Sequence, residues 1–76
     1  MNAAPMTFTE FRFYSPVLDI NAVRLSCFDG YGSEYFMIIP DGSTAPGGYL
    51  KRRHEALNRI SEAVLLGLDP GEVTAQ

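Results

Sequence analysis

The chain has few residues that could cross-link a small fold through disulfides or a bound metal. It has one cysteine, Cys27, among 76 residues, so no disulfide can form within the chain and a metal site built on cysteine pairs is excluded. A domain of this length buries only about 60% of the surface of its unfolded chain. We therefore expect extra burial to come from a partner or from a second copy of the chain.

Long hydrophobic runs are also missing. No stretch approaches the roughly 18 apolar residues of a membrane span, and residues 1–6 have neither the basic nor the apolar part of a signal peptide. Together with the lone cysteine, which is typical of a reducing compartment, this predicts a soluble, cytoplasmic protein. Hydrophobic residues still make up 46% of the chain, and so a folded domain is expected.

Strong positive charge is absent as well. The net charge is −3, whereas nucleic-acid-binding domains usually have a strongly basic face. The one basic stretch is residues 49–68, where four Lys and Arg against two Glu give +2. Nucleic-acid binding is therefore disfavoured, although not excluded.

Catalytic and cofactor motifs do not occur in the sequence. Gly42 and Gly47 have the spacing that begins a phosphate loop, but the Lys and Ser/Thr that must follow are missing. Cys27 and His54, the only cysteine and the only histidine, could form a nucleophile pair, but a buried thiol and an imidazole at the edge of the core are favoured. We expect no enzyme, no cofactor and no metal.

Three segments have the composition and alternation of β-strands. They are Thr7–Ser15, Asn21–Phe28 and Glu34–Pro40. Asp29–Ser33 has the aspartate and glycines of a short hairpin loop, which predicts that the second and third strands pair. The third strand is apolar on both faces, and this pattern is typical of burial on two sides.

One amphipathic helix follows, with its predicted bounds at Tyr49 and Gly67. We expect it to be capped by Thr44 or by Gly48 and to end at Gly67, since glycine readily adopts the left-handed conformation. The predicted apolar side consists of Leu50, Leu57, Ile60, Val64 and Leu68. The fold class is therefore α+β, a three-stranded antiparallel sheet followed by one C-terminal helix (βββα) over residues 7–68, with flexible ends at 1–6 and 69–76.

A single helix covers only one face of such a sheet. We expect the covered face to hold Phe11, Phe13, Val23, Leu25, Cys27, Met37 and Ile39. The opposite face would then display Phe8, Tyr14, Phe28, Phe36 and Ile38, with Arg12 and Arg24 among them. Burial of apolar surface contributes about 25 cal/mol per Å². Covering several exposed aromatics would therefore stabilise the molecule by a few kcal/mol. We expect an identical subunit, a different protein or stacked bases to cover them, unless the segment 16–20 folds over this face.

The start of the helix concentrates positive charge. The exposed amides of a helix N-terminus favour anions, so Lys51, Arg52, Arg53 and His54 could bind a phosphate or an acidic partner, although a solvated face explains Lys51 and Arg52 without a function. Arg53 falls within the apolar arc, where its charge must reach the sheet edge or meet a carboxylate. It is the best single polar candidate for a contact residue.

These observations favour a small module that binds a partner protein. The candidate partner-binding residues are Phe8, Arg12, Tyr14, Arg24, Phe28, Phe36, Ile38, Tyr49, Arg52 and Arg53. In size, acidity and lack of catalytic motifs the chain is similar to the small inhibitor proteins that phages and mobile elements use against host complexes, anti-CRISPR proteins included. This similarity of type implies docking on a host complex. The alternatives are single-stranded nucleic-acid binding through the aromatic face and an obligate homodimer with a structural or regulatory role.

Overall fold

Four strands and one helix make up the described part of the chain, residues 6–43 and 47–74 of a computed structural model. In chain order they are β1 (Thr7–Ser15), β2 (Ile20–Phe28), β3 (Glu34–Pro40), α1 (Tyr49–Leu65) and β4 (Gly71–Glu72). The predicted α+β class, a sheet followed by a helix, is confirmed. The number of strands differs from the prediction by one.

The sheet has the order β1-β2-β3-β4, and its last pair is parallel. β1, β2 and β3 form an antiparallel meander, as predicted, but β4 falls within the stretch 69–76, where no strand was expected. The amide of Val73 donates to the carbonyl of Phe36 at 2.8 Å, and the Tyr35 hydroxyl donates to the carbonyl of Leu68 at 2.9 Å. The prediction of a purely antiparallel three-stranded sheet is therefore wrong, because the chain after α1 returns to the free edge of β3.

The loop between β2 and β3 confirms the predicted hairpin. The Asp29 carboxylate accepts hydrogen bonds from the backbone amides of Tyr31 and Ser33 at 2.8 and 2.9 Å. Gly32 follows with φ of +88°, a conformation that a residue with a side chain rarely adopts. The aspartate and the glycine thus close the loop for the reasons that the sequence suggested.

The link between β1 and β2 is a second, four-residue hairpin connection. Ser15 pairs directly with Ile20, and the Tyr14 hydroxyl donates to the carboxylate of Asp19. Val17, within the link, is 91% exposed. The alternative in which residues 16–20 fold over a sheet face is therefore wrong, since this segment extends the end of the hairpin into solvent.

Glycines mark both ends of α1. Gly48, at φ of +69°, occupies the cap position, while the other candidate cap, Thr44, lies outside the described residues. At the far end Gly67 has φ of +67°, and the amides of Gly67 and Leu68 donate to the carbonyls of Val64 and Ala63 at 3.1 and 3.0 Å. This pair of bonds is a Schellman motif, and it ends the helix at Leu65, two residues before the predicted bound.

The core lies between α1 and strands β2 and β3. Its buried members are Val23, Leu25, Cys27, Tyr35, Ile39, Ala56, Ile60 and Ala63. Leu50 and Leu68 were expected on the inner side of the helix but are exposed. The helix instead turns two alanines inward, since small side chains let its backbone approach the sheet. No helix in residues 6–43 and 47–74 has the length and apolar character to cross a membrane.

β1 lies beyond the cover of the helix. In the described part of the chain, no Cα atom of β1 comes within 8 Å of a Cα atom of α1. No residue of β1 is fully buried, whereas β2 beside it is buried at Ala22, Val23, Leu25, Ser26 and Cys27. The molecule therefore has a two-layer part, formed by α1 on β2 and β3, and a single-layer part, formed by β1.

Candidate functional site

The face of the sheet that points away from α1, called here the open face, carries the candidate site. Its position follows from β2, in which Val23, Leu25 and Cys27 point into the core and the alternate residues point the opposite way. Directly opposite residues of antiparallel strands share a face. The open face therefore contains Arg24, Ser26 and Phe28 of β2 and Glu34, Phe36 and Ile38 of β3.

The predicted facing of β1 is wrong. Since Ser15 pairs with Ile20, Phe11 lies opposite Arg24 and Phe13 opposite Ala22, which puts both phenylalanines on the open face rather than in the core. The residues expected on the open face, Phe8, Arg12 and Tyr14, lie on the helix side, opposite Cys27, Val23 and Asn21. Both faces of β1 carry aromatics, so its own sequence does not show which face points to the helix. Only the four-residue length of the link to β2 could have shown this.

The open face is a shallow apolar surface. The rings of Phe11 and Phe13 are stacked, with centroids 6.1 Å apart and an interplanar angle of 16°. Beside them β2 contributes the buried small residues Ala22 and Ser26. On the far side β3 contributes Phe36, and Ile38, which is 38% exposed. Between the exposed Phe11 and Ile38 lies Arg24 of β2, which is directly opposite both.

A polar cluster runs from the middle of this surface, where Arg24 lies between Phe11 and Ile38, to Glu34 opposite Phe28. The Arg24 guanidinium donates to both carboxylate oxygens of Glu34, at 3.1 and 2.6 Å, and the Ser26 hydroxyl donates to the same carboxylate at 2.6 Å. The guanidinium carbon also lies 3.6 Å from the centroid of the Phe36 ring, within the range of a cation–π contact. The charge of Arg24 is therefore already balanced, and its side chain is held flat against the sheet.

The cluster makes stability depend on pH. The hydrogen bond from Arg24, and next that from Ser26, hold the pKa of Glu34 below its ordinary value of 4.5. A carboxyl with a lowered pKa stabilises the fold above its unfolded pKa, and this contribution is lost as the pH falls through the folded pKa. We expect the free energy of unfolding to fall more steeply between about pH 5 and pH 3 than it does in Glu34→Gln. Urea denaturation of the wild type and of Glu34→Gln across that pH range measures both free energies. Parallel pH profiles would show that Glu34 is not the source of the difference.

A second charged cluster lies on the helix side of β1. Arg53 donates to the Glu10 carboxylate, from Nε at 2.6 Å and also from Nη2. Arg12 lies 3.6 Å from Glu10 and 3.8 Å from Asp41. The expectation that Arg53 must reach the sheet edge or meet a carboxylate is thus confirmed, and the carboxylate belongs to β1.

The other predicted residues at the start of the helix have structural contacts. The Tyr49 ring is half-buried against the core and lies over Gly42, while Arg52 donates to the carbonyl of Gly47 at 3.2 Å. The ten predicted partner-binding residues therefore occupy three places. Arg24, Phe28, Phe36 and Ile38 lie on the open face; Phe8, Arg12 and Tyr14 lie on the helix side of β1; Tyr49, Arg52 and Arg53 lie in the first turns of α1.

Cys27 and His54 lie in different environments. Cys27 is fully buried, and burial, followed by the charge of Asp29, raises the pKa of its thiol. His54 is exposed on α1. A thiol that stays protonated is a poor nucleophile, so the open face remains the stronger candidate site.

Comparison with known proteins adds no assignment to this surface. The chain matches no protein-family model, no curated protein and no solved structure. Function is therefore inferred from the side chains that the fold leaves uncovered.

Proposed function

We propose that the chain is a non-enzymatic interaction module that docks on a partner protein through its open face. The observation that supports this is the set of apolar side chains that α1 leaves bare, with Phe11 62% and Ile38 38% exposed on either side of Arg24. Burying a large apolar side chain contributes about 1.5–3 kcal/mol, so a partner that covers this surface gains binding energy from it. Contiguous exposed apolar patches commonly mark protein interaction sites.

A protein fits this surface better than a nucleic acid. Binding of single strands needs cations that are free to meet phosphates and rings on one platform for the bases. Arg24 is balanced by Glu34, and Arg12 lies between Glu10 and Asp41. Phe8 and Tyr14 are also on the opposite side of the sheet from Phe28 and Phe36, so the four rings cannot form one stacking platform.

The proposal extends to the setting in which docking would occur. We place the module in the cytoplasm because its lone cysteine is typical of a reducing compartment. If the partner is a host complex, docking would inhibit it by covering a surface that the complex needs, as the similarity to small phage and mobile-element inhibitors implies.

The test is affinity capture from the native host, with variants that separate the open face from other exposed apolar residues. Ile38→Glu places a charge on the open face, while Leu50→Glu makes the same kind of change at a site on α1 that is 77% exposed. We expect Ile38→Glu to weaken binding of the captured protein at least tenfold, as the loss of a central interface contact does, and Leu50→Glu to leave it unchanged. Circular dichroism confirms that each variant is folded, and calorimetry with the purified partner gives the affinities.

Two outcomes would contradict this proposal. Wild-type affinity in Ile38→Glu would remove the open face from the interface. Loss of binding in Arg53→Glu, with Ile38→Glu unaffected, would move the interface to the start of the helix.

A further inference from the structure

The outer edge of β1 is a surface, distinct from the open face, where the described residues leave the backbone of a strand unpaired. β1 stands at the end of the sheet, and among the described residues its one neighbouring strand is β2. All nine of its residues, Thr7–Ser15, pair with β2 without a bulge, and none is Pro, Gly or Lys. Proteins commonly protect such edges with proline, with lysine or other charges, or with a bulge. Of these, β1 has only the charges of Glu10 and Arg12, on its helix side.

We propose that this edge binds a second copy of the chain, β1 against β1 in antiparallel orientation, with Phe11 opposite its own copy. The two four-stranded sheets would then join into one sheet of eight strands. The inference rests on the sequence of β1 and on its free edge. It does not depend on the docking function proposed for the open face.

Symmetry restricts how two such edges can pair. The twofold axis that relates antiparallel neighbours runs perpendicular to the sheet, so the same face of both copies points the same way and one residue of β1 lies opposite itself. A residue that lies a given number of positions before this central residue in one copy then faces the residue the same number of positions after it in the other copy. Each possible pairing is therefore defined by its central residue.

The sequence of β1 is complementary to itself about Phe11. With Phe11 on the axis, Glu10 faces Arg12 of the second copy, and Phe8 faces Tyr14 of the second copy. The pairs beyond these are Thr9 with Phe13 and Thr7 with Ser15. Opposite charges and aromatic pairs directly across antiparallel strands are stabilising, and each occurs twice in the dimer.

The neighbouring registers lose this complementarity. Pairing centred on Glu10 sets that carboxylate against its own copy, and pairing centred on Arg12 does the same with guanidinium groups. Like charges directly opposite are destabilising. Pairing centred on Thr9 or on Phe13 brings only five residues of each strand together. Charge and length therefore both favour Phe11 as the centre, and all nine residues are then used.

The side chains that this pairing would cover are accessible. Phe8 and Tyr14 are 47% and 54% exposed on the helix side, and Phe11 is 62% exposed on the open face. Glu10 already meets Arg53 and Arg12 of its own copy, and Arg12 also lies near Asp41. The pair across the interface would therefore extend existing ion pairs between side chains that are already partly ordered. A contact along a single edge falls at the small end of interface sizes, so we expect a reversible dimer with a micromolar dissociation constant.

Disulfide trapping tests the register directly. In Phe11→Cys the two new thiols would lie directly opposite, with Cβ atoms about 4.5–5.5 Å apart, which is close to disulfide geometry. In Thr9→Cys or Phe13→Cys alone, the thiols would be four residues out of line, about 14 Å apart, but a mixture of these two variants would bring them opposite. Cys27 is fully buried, so the wild-type chain serves as the matched control.

We expect Phe11→Cys to form a covalent dimer under mild oxidation, the Thr9→Cys and Phe13→Cys variants to form one only when mixed, and the wild type to form none. Sedimentation of the wild type from about 5 to about 500 µM, which spans the affinity expected of a small interface, should show the monomer passing into a dimer. A wild type that stays monomeric throughout, or cross-linking of Thr9→Cys as efficient as that of Phe11→Cys, would overturn the proposal. Since Ile38 lies on β3, capture of a partner by the open face can fail or succeed independently of these results.

Discussion

Replacing Leu25 by alanine will lower the free energy of unfolding by about 2–5 kcal/mol, the range for leucine truncation in a protein core. Leu25 is fully buried and lies in the middle of β2, with Met37 of β3 opposite it and α1 above it. The cost combines the lost transfer free energy of the side chain with the cavity that remains. A domain of 76 residues has a total stability of about 4–11 kcal/mol, so the variant should lose a large part of it.

Leu50→Ala is the matched control for this experiment. It makes the same chemical change at an exposed residue of α1, and alanine is a good helix former. We expect its stability to stay within about 0.5 kcal/mol of the wild type. Urea denaturation followed by far-ultraviolet circular dichroism gives both values, and equal stabilities of the two variants would show that the core is not centred on Leu25.

Replacing Gly42 by alanine will also destabilise the fold, by about 1–3 kcal/mol, as overpacking does. A Cβ atom at Gly42 would lie 2.6 Å from Cδ2 and 2.9 Å from Cδ1 of Tyr49, closer than non-bonded carbons approach. The ring cannot easily retreat, because it packs against the core at the first residue of α1. Either the ring or the chain after β3 must shift.

A double-mutant cycle isolates this contact. With Tyr49 already replaced by alanine, the further change Gly42→Ala should cost little, so the two substitutions should be strongly non-additive. Ser43→Ala, at the exposed next residue, controls for a general effect on the loop. Additive costs in the cycle would mean that the ring of Tyr49 is not what excludes a side chain at Gly42.

The elements with a strong internal pattern were predictable from the sequence. β2 alternates clearly, so the burial of Val23, Leu25 and Cys27 was predicted correctly, and the bounds of α1 were wrong only at its end. β1 has aromatics on both faces, and its own pattern therefore does not determine its facing. The length of the link to β2 does, and for this reason Phe11 and Phe13 were assigned to the wrong side.

Contacts between distant parts of the chain were not predictable. β4 has two residues, too few for any periodic signal, and it forms because the chain after Gly67 returns to β3. The position of Arg53 in the apolar arc indicated that it needs a carboxylate. Nothing in the local sequence indicated Glu10, which is 43 residues away, because that pairing arises only when β1 is placed beside β2.

Because β1 lies outside the cover of α1, its exposed residues can change during evolution with less effect on folding than residues of the core. Substitutions in β2 or on the inner side of α1 alter a packed core, and most of them cost folding free energy. Exposed positions of β1 such as Thr9 and Phe11 carry little of that cost, since no residue of the strand is fully buried. Mutational drift can therefore reshape this strand while the two-layer part continues to fold.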